Sequence, residues 1–273
     1  MGVDTRDRGY WSTMYVDDLS IGEVQDLTAA VSHFTTGKEL RTVHAKKCEE
    51  VFSVITDNAN RIGMKINATK TQLLCISDHT SAHIDSYINL EEDECRINSG
   101  EEMKVLGFVF GQKPTVNYHL EYTLKKFKKK IWILNHLKKA DIDKNTMLQV
   151  YMSMLRPVLE FCSPVYHSMI SADMNSKLEN MQKLALRIIF GFDKKYEVIL
   201  AENNITTLEE RRSQAFDNFA IKCSLSGRFS EWLPVNDCER TLRTSKKYRE
   251  EYARSSRLYK SPIYAMRRRL NEI

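Results

Sequence analysis

Two adjacent carboxylates stand near the start of the chain, in Tyr15-Val16-Asp17-Asp18. Apolar residues flank them, Trp11 and Met14 before and Leu19 and Ile21 after. This pattern predicts strand, tight turn, strand, with the carboxylates at the tip. Like charges side by side repel. Such a pair is therefore either solvated at a bend that Asp itself favours or neutralised by a divalent cation. Hard oxygen ligands suit Mg²⁺, which takes one or two carboxylates and completes its shell with water and substrate phosphates. The chemistry open to such a carboxylate cluster is phosphoryl or nucleotidyl transfer by a two-metal site.

Further segments follow in order. Arg61-Ile62-Gly63-Met64-Lys65-Ile66-Asn67-Ala68-Thr69-Lys70-Thr71-Gln72 leads into an apolar run from Leu73 to Ile76, and Lys104-Val105-Leu106-Gly107-Phe108-Val109-Phe110 is a second apolar run. Leu155-Arg156-Pro157-Val158-Leu159-Glu160-Phe161 and Lys177-Leu178-Glu179-Asn180-Met181-Gln182-Lys183-Leu184-Ala185-Leu186-Arg187 come later. In order and spacing, the hairpin and these segments resemble the C-terminal half of reverse transcriptases of non-LTR (LINE-like) retrotransposons. The similarity covers roughly residues 11–270.

The resemblance implies an α+β fold. A partial polymerase palm, a small antiparallel sheet with a helix, is expected over residues 1–112, a helical thumb-like domain over 113–239 and a basic C-terminal tail over 240–273. The implied activity is RNA-directed DNA synthesis with Mg²⁺, an RNA template and a DNA primer. By the same resemblance Asp17 binds the metals and Asp18 tunes the site from close by, while Tyr15 packs beside the primer end or incoming nucleotide. Leu106 and Gly107 resemble the primer-grip hairpin, where Gly permits close backbone approach. Lys70 matches a lysine near the departing pyrophosphate; its competing role is to cap a strand turn. The family also needs an earlier aspartate-bearing palm strand and fingers; fourteen residues precede Tyr15, and Met1 to Tyr10 resembles neither. The expectation is a truncated polymerase, inactive alone or completed by the missing N-terminal half in trans. Two carboxylates without the third would hold Mg²⁺ weakly.

The elements that must position these residues can be read from periodicity. A helix is predicted from about Gly37 to Arg61, stopped by Gly63, with short strands near 64–67 and 71–77 joined by the Asn67-to-Lys70 turn. Residues 78–102, with Glu91-Glu92-Asp93-Glu94, read as a loop or insertion, and 104–110 as one strand. Beyond Pro114 the chain reads as nearly all helix. Leu120, Leu124, Phe127, Ile131 and Leu134 recur at steps of four and three, making one apolar stripe. Lys125, Lys126, Lys128, Lys129 and Lys130 fill the remaining surface. They form either a solvated face or a backbone-binding one. Further helices are expected over 144–168, 173–190 and 207–225, with Pro157 and Pro164 interrupting the first and Arg156 pairing with Glu160.

Charge distribution adds a partner class. The 273 residues carry a net +5. Residues 240–273 hold 11 Lys+Arg against 3 Asp+Glu, whereas the preceding 239 hold 30 against 33. A basic tail on a near-neutral body is the electrostatic footprint of phosphate-backbone binding, or else a solubilising tail. Arg267, Arg268 and Arg269 are its densest cluster, interleaved with Tyr248, Tyr252, Tyr259 and Tyr264. Six scattered cysteines and seven scattered histidines argue against a zinc site and for reduced thiols in an intracellular protein, nuclear or cytoplasmic. No apolar stretch reaches membrane-span length. A non-catalytic nucleic-acid-binding protein and a decayed, functionless element remnant are the alternatives to a polymerase fragment.

Overall fold

A computed structural model describes residues 10–15, 18–23, 37–67, 69–76, 87–90, 95–98, 100–236 and 246–273; for 10–48 and 87–98 it describes the backbone alone. The described residues are mainly helical with small antiparallel two-stranded sheets, an α+β composition. The chain divides into two compact units, Met1–Pro114 and Thr115–Ile273.

In the first unit β1 (Tyr10–Tyr15) pairs antiparallel with β2 (Asp18–Glu23), in a register that sets Trp11 opposite Gly22 and Tyr15 opposite Asp18. Helix α1 spans Gly37–Arg61, the predicted range. Its end follows from Gly63, whose φ of 71° only glycine adopts without cost. The Met64 N–H then donates to Ala59 O (2.9 Å) and the Gly63 N–H to Asn60 O (3.0 Å), satisfying carbonyls the helix would leave orphaned.

Three expectations need correction in this unit. Of the strands expected over 64–67 and 71–77, the described residues 64–67 and 71–76 form neither; Leu73 makes an isolated bridge, its carbonyl accepts from Gly100 N–H at 2.9 Å, and residue 77 lies outside the described residues. The 78–102 segment is not all loop, because β3 (Tyr87–Leu90) and β4 (Cys95–Asn98) pair antiparallel within it. The acidic run between them hid two strands of only four residues each. The single strand expected over 104–110 is a hairpin, β5 (Glu102–Val105) with β6 (Phe108–Gly111), turned at Leu106 and Gly107.

The second unit is built on the predicted stripe. Helix α2 (Asn117–Lys130) continues into α3 (Trp132–Lys139) through Ile131, which keeps helical dihedrals (φ −62°, ψ −21°). Leu120, Phe127 and Leu134 are wholly buried, each contributing about 1.5–3 kcal/mol by leaving water. Helix α4 (Lys144–Val150) runs into a wider turn over Tyr151–Leu155, and α5 covers Arg156–Glu160. Pro157 lacks an N–H and crowds the carbonyl four residues back, so the ladder shifts there. Pro164 starts the short α6 (Ser163–Tyr166). Helix α7 (Ala172–Phe190) follows, then α8 (Tyr196–Glu202), which the sequence reading lacked. Helix α9 (Leu208–Leu225) opens on a capping box: Glu210 N–H donates to the Thr207 hydroxyl (3.2 Å) and Thr207 N–H to the Glu210 carboxylate (3.0 Å).

The described C-terminal residues 246–273 belong to this unit, and the expected boundary at 239/240 lies outside the described residues. Helices α10 (Ser256–Lys260) and α11 (Pro262–Glu272) complete the chain. Ala265 and Met266 of α11 share a core with Phe216, Ala220 and Cys223 of α9, together with Leu233 and Tyr248. Asn271 ties both backbone groups of Tyr248, at 2.9 and 3.0 Å.

Candidate nucleic-acid interface

The register of β1 and β2 closes on Tyr15 opposite Asp18. Asp17 lies outside the described residues, and Tyr15 and Asp18 are described as backbone. Among the described residues no group of three or more His, Cys, Asp or Glu is placed to hold a metal.

Lys70 ends a turn organised by Asn67. The Asn67 side-chain oxygen accepts from Thr69 N–H (3.0 Å), the Thr69 hydroxyl (2.6 Å) and Lys70 N–H (3.3 Å). An Asn that bonds its own backbone two residues on sets such a turn locally, and it leaves the Lys70 side chain exposed. Leu106 and Gly107 form the two-residue β5–β6 turn, both at positive φ (48° and 88°). Hairpin turns demand this backbone because it matches strand twist. Leucine meets the demand at a steric cost, and 58% of the residue's surface faces solvent.

In the second unit the lysine helix buries one face and exposes the other. His119, Leu120, Thr123, Leu124 and Phe127 are buried, which turns Lys125, Lys126, Lys128 and Lys129 outward, with Lys130 half-buried. Glu121 is the one acidic residue between 117 and 139. Among the described residues no carboxylate pairs with these five lysines.

The C-terminal arginines are placed differently. Arg267 is buried; its Nε donates to Trp232 O at 2.8 Å and Nη1 lies 3.6 Å from Glu251. Arg269 grips Asp217 of α9 with both nitrogens of its fork, at 2.7 and 2.9 Å, and reaches Glu272 at 3.2 Å. The Asp217 carboxylate holds the Arg269 guanidinium's pKa well above its ordinary value. Arg268 lies over the Tyr259 ring, 3.7 Å from its centroid. Two of the three guanidiniums are thus engaged inside the fold.

Sequence reasoning missed a buried polar network. The Tyr151 hydroxyl donates to Gln182 Oε1 (2.7 Å), and Gln182 Nε2 donates to the Tyr196 hydroxyl (2.9 Å) and Thr206 O (3.1 Å). The Tyr196 hydroxyl donates to Glu179, whose second oxygen accepts from Leu208 N–H at 3.1 Å. Burial keeps both phenols protonated, with pKa values raised above the ordinary range. The available signal was Gln182 itself, a polar residue in the apolar row Met174, Leu178, Ala185, Ile189. The network joins α4–α5, α7, α8 and α9, and no nucleophile is activated in it. Nearby, Glu160 bridges Arg156 (3.7 Å) and Arg211.

Comparison with known protein families, curated proteins and solved structures finds no significant match to the chain.

Proposed function

We propose that this chain is the hairpin-to-thumb part of a non-LTR-type RNA-directed DNA polymerase, and that it holds the primer–template through its phosphate backbone. The observation that carries the nucleic-acid part of this reading is the α2 face, where the five lysines from 125 to 130 have no carboxylate partner among the described residues. Unneutralised cations on one rigid helix attract a polyanion by displacing its condensed counterions. The apolar anchors Leu120, Leu124 and Phe127 fix the helix, so the charges form a preset row rather than a flexible cloud. The polymerase part rests on the motif order and on the hairpin that brings Tyr15 opposite Asp18. In that role Asp17 and Asp18 present oxygens to Mg²⁺, Tyr15 flanks the primer end, and the Leu106–Gly107 turn lies against the primer backbone. Mg²⁺, when bound, supplies charge neutralisation at the reacting phosphate. Polymerisation also requires the aspartate-bearing strand and fingers, from a longer chain or in trans.

Two assays on the purified chain test this. Primer–template duplex should bind weakly, with little sequence preference and steep salt dependence; absence of binding at low salt overturns the reading. Primer extension by these 273 residues with Mg²⁺ or Mn²⁺ should give no product. Incorporation that disappears in Asp17→Ala would show the site to be complete within them. The lysine face favours one second reading, a non-catalytic nucleic-acid-binding protein. Complementation separates the two: adding an upstream palm-and-fingers fragment restores synthesis only in the polymerase.

A further inference from the structure

The helix that carries the lysines also carries an exposed tryptophan, Trp132, with 55% of its surface in solvent. Helical spacing decides what it accompanies. Steps of three and four link Lys125, Lys128, Trp132, His136 and Lys139 into one row along α2 and α3, with Lys129 at its edge. All six are exposed, and the row lies away from the buried stripe of Leu120, Leu124, Phe127 and Leu134. His136 packs edge-on against the Trp132 ring at a centroid distance of 4.9 Å, and its Nδ1 is 3.0 Å from Trp132 O. The indole is therefore held by a neighbour one turn along its own helix. The helix beneath it is anchored too, since Lys138 Nζ donates to Ile188 O (2.8 Å) at the end of α7.

A large aromatic group exposed among cations suits a ligand that is both anionic and flat. Single-stranded nucleic acid is that ligand, because phosphates track the cations while a base stacks on the ring. A duplex offers the phosphates without an unstacked base. We propose that Trp132 is a base-stacking residue and that α2–α3 binds an unpaired strand, Lys125, Lys128 and Lys139 contacting the phosphates on either side of the stacked base. This deepens the nucleic-acid reading above and rests on it, adding strand state and a named contact.

The test compares two strands of equal length, an oligothymidylate and the same backbone lacking bases, on the full chain. Wild type should prefer the strand with bases by roughly five- to a hundredfold, the range of one aromatic–base stack. W132A and W132L should lose this preference while keeping affinity for the abasic strand and its salt slope. W132F should retain most of the preference. Loss of affinity on both strands alike, or a preference unchanged in W132A and W132L, overturns the stacking role. So does a preference that survives while sedimentation shows altered self-association, which makes the face a protein contact. The broader reading fails separately, when changing the five lysines to glutamine leaves binding to both strands intact.

Discussion

Helices α2 and α11 each carry a run of basic residues, yet among the described residues only the α2 run lacks acidic partners. The lysines of α2 line a helix buried on one side, and Glu121 is the one acidic residue along the α2–α3 sequence. The arginines of α11 meet Asp217, Glu251, Glu272, the Trp232 carbonyl and the Tyr259 ring. The guanidinium fork favours such use, since it matches a carboxylate with two parallel bonds and stacks on aromatics, whereas an ammonium on a flexible stem stays hydrated. Local charge counting ranks the C-terminus first, but partner geometry favours α2. Cation density shows where a polyanion would be attracted; the contacts each cation already makes show how much of that attraction remains.

The largest effect should come from removing what holds the lysine face in place. Phe127→Ala empties a fully buried site and should cost about 3–5 kcal/mol, read as a lower midpoint in denaturant unfolding. A smaller cost at Phe127 would mean that the helix is not anchored as described. On the other side of the comparison, Arg269→Gln breaks a two-bond grip on Asp217 that is partly solvent-exposed. The expected loss is about 1 kcal/mol, reproduced by Asp217→Asn. The double variant should cost little more than either single change, and full additivity would show that the two residues do not act as a pair.

Acid should weaken the second unit. His119 and His167 have pKa values lowered from 6.5, in both cases chiefly by burial. The unfolded chain takes up these protons first as pH falls, so their contribution is intact above about 6.5 and declines below it. Unfolding midpoints measured from pH 7.5 to 5.5 should fall, and His167→Phe, beside Phe216, should reduce that fall. Smallest is the effect at the β5–β6 turn. Leu106→Asn, a residue more tolerant of positive φ, should stabilise the hairpin by up to about 1 kcal/mol. Destabilisation would show that the leucine side chain makes a contact worth more than its strain.

The contrast between the two basic runs was half legible in the sequence. The α2 stripe could be read because every residue that defines it lies within fifteen positions, and helical period alone sorts buried from exposed. The same holds for α1, whose end needs only Gly63. Asp217 lies 52 positions from Arg269 and Trp232 lies 35 from Arg267, and no local pattern joins them. The β3–β4 hairpin was hidden because strands of four residues barely exceed chance alternation. The turn that splits 104–110 was missed because leucine rarely accepts positive φ. Tyr15 and Asp18 could be placed on facing strands from flanking apolar residues. Asp17, central to the chemical expectation, lies outside the described residues.

The central claim is that α2 binds and α11 builds. Filter-binding titrations of a primer–template at several salt concentrations test it most directly, using a variant with Lys125, Lys126, Lys128, Lys129 and Lys130 changed to Gln alongside Arg269→Gln. The lysine variant should keep its unfolding midpoint, since Gln and Lys have similar helix propensity, and should lose up to about 4.5 from the log–log salt slope if each of the five cations meets one phosphate. Arg269→Gln should unfold more easily and bind with an unchanged slope. A flattened slope in Arg269→Gln with the lysine variant binding like wild type would contradict the account.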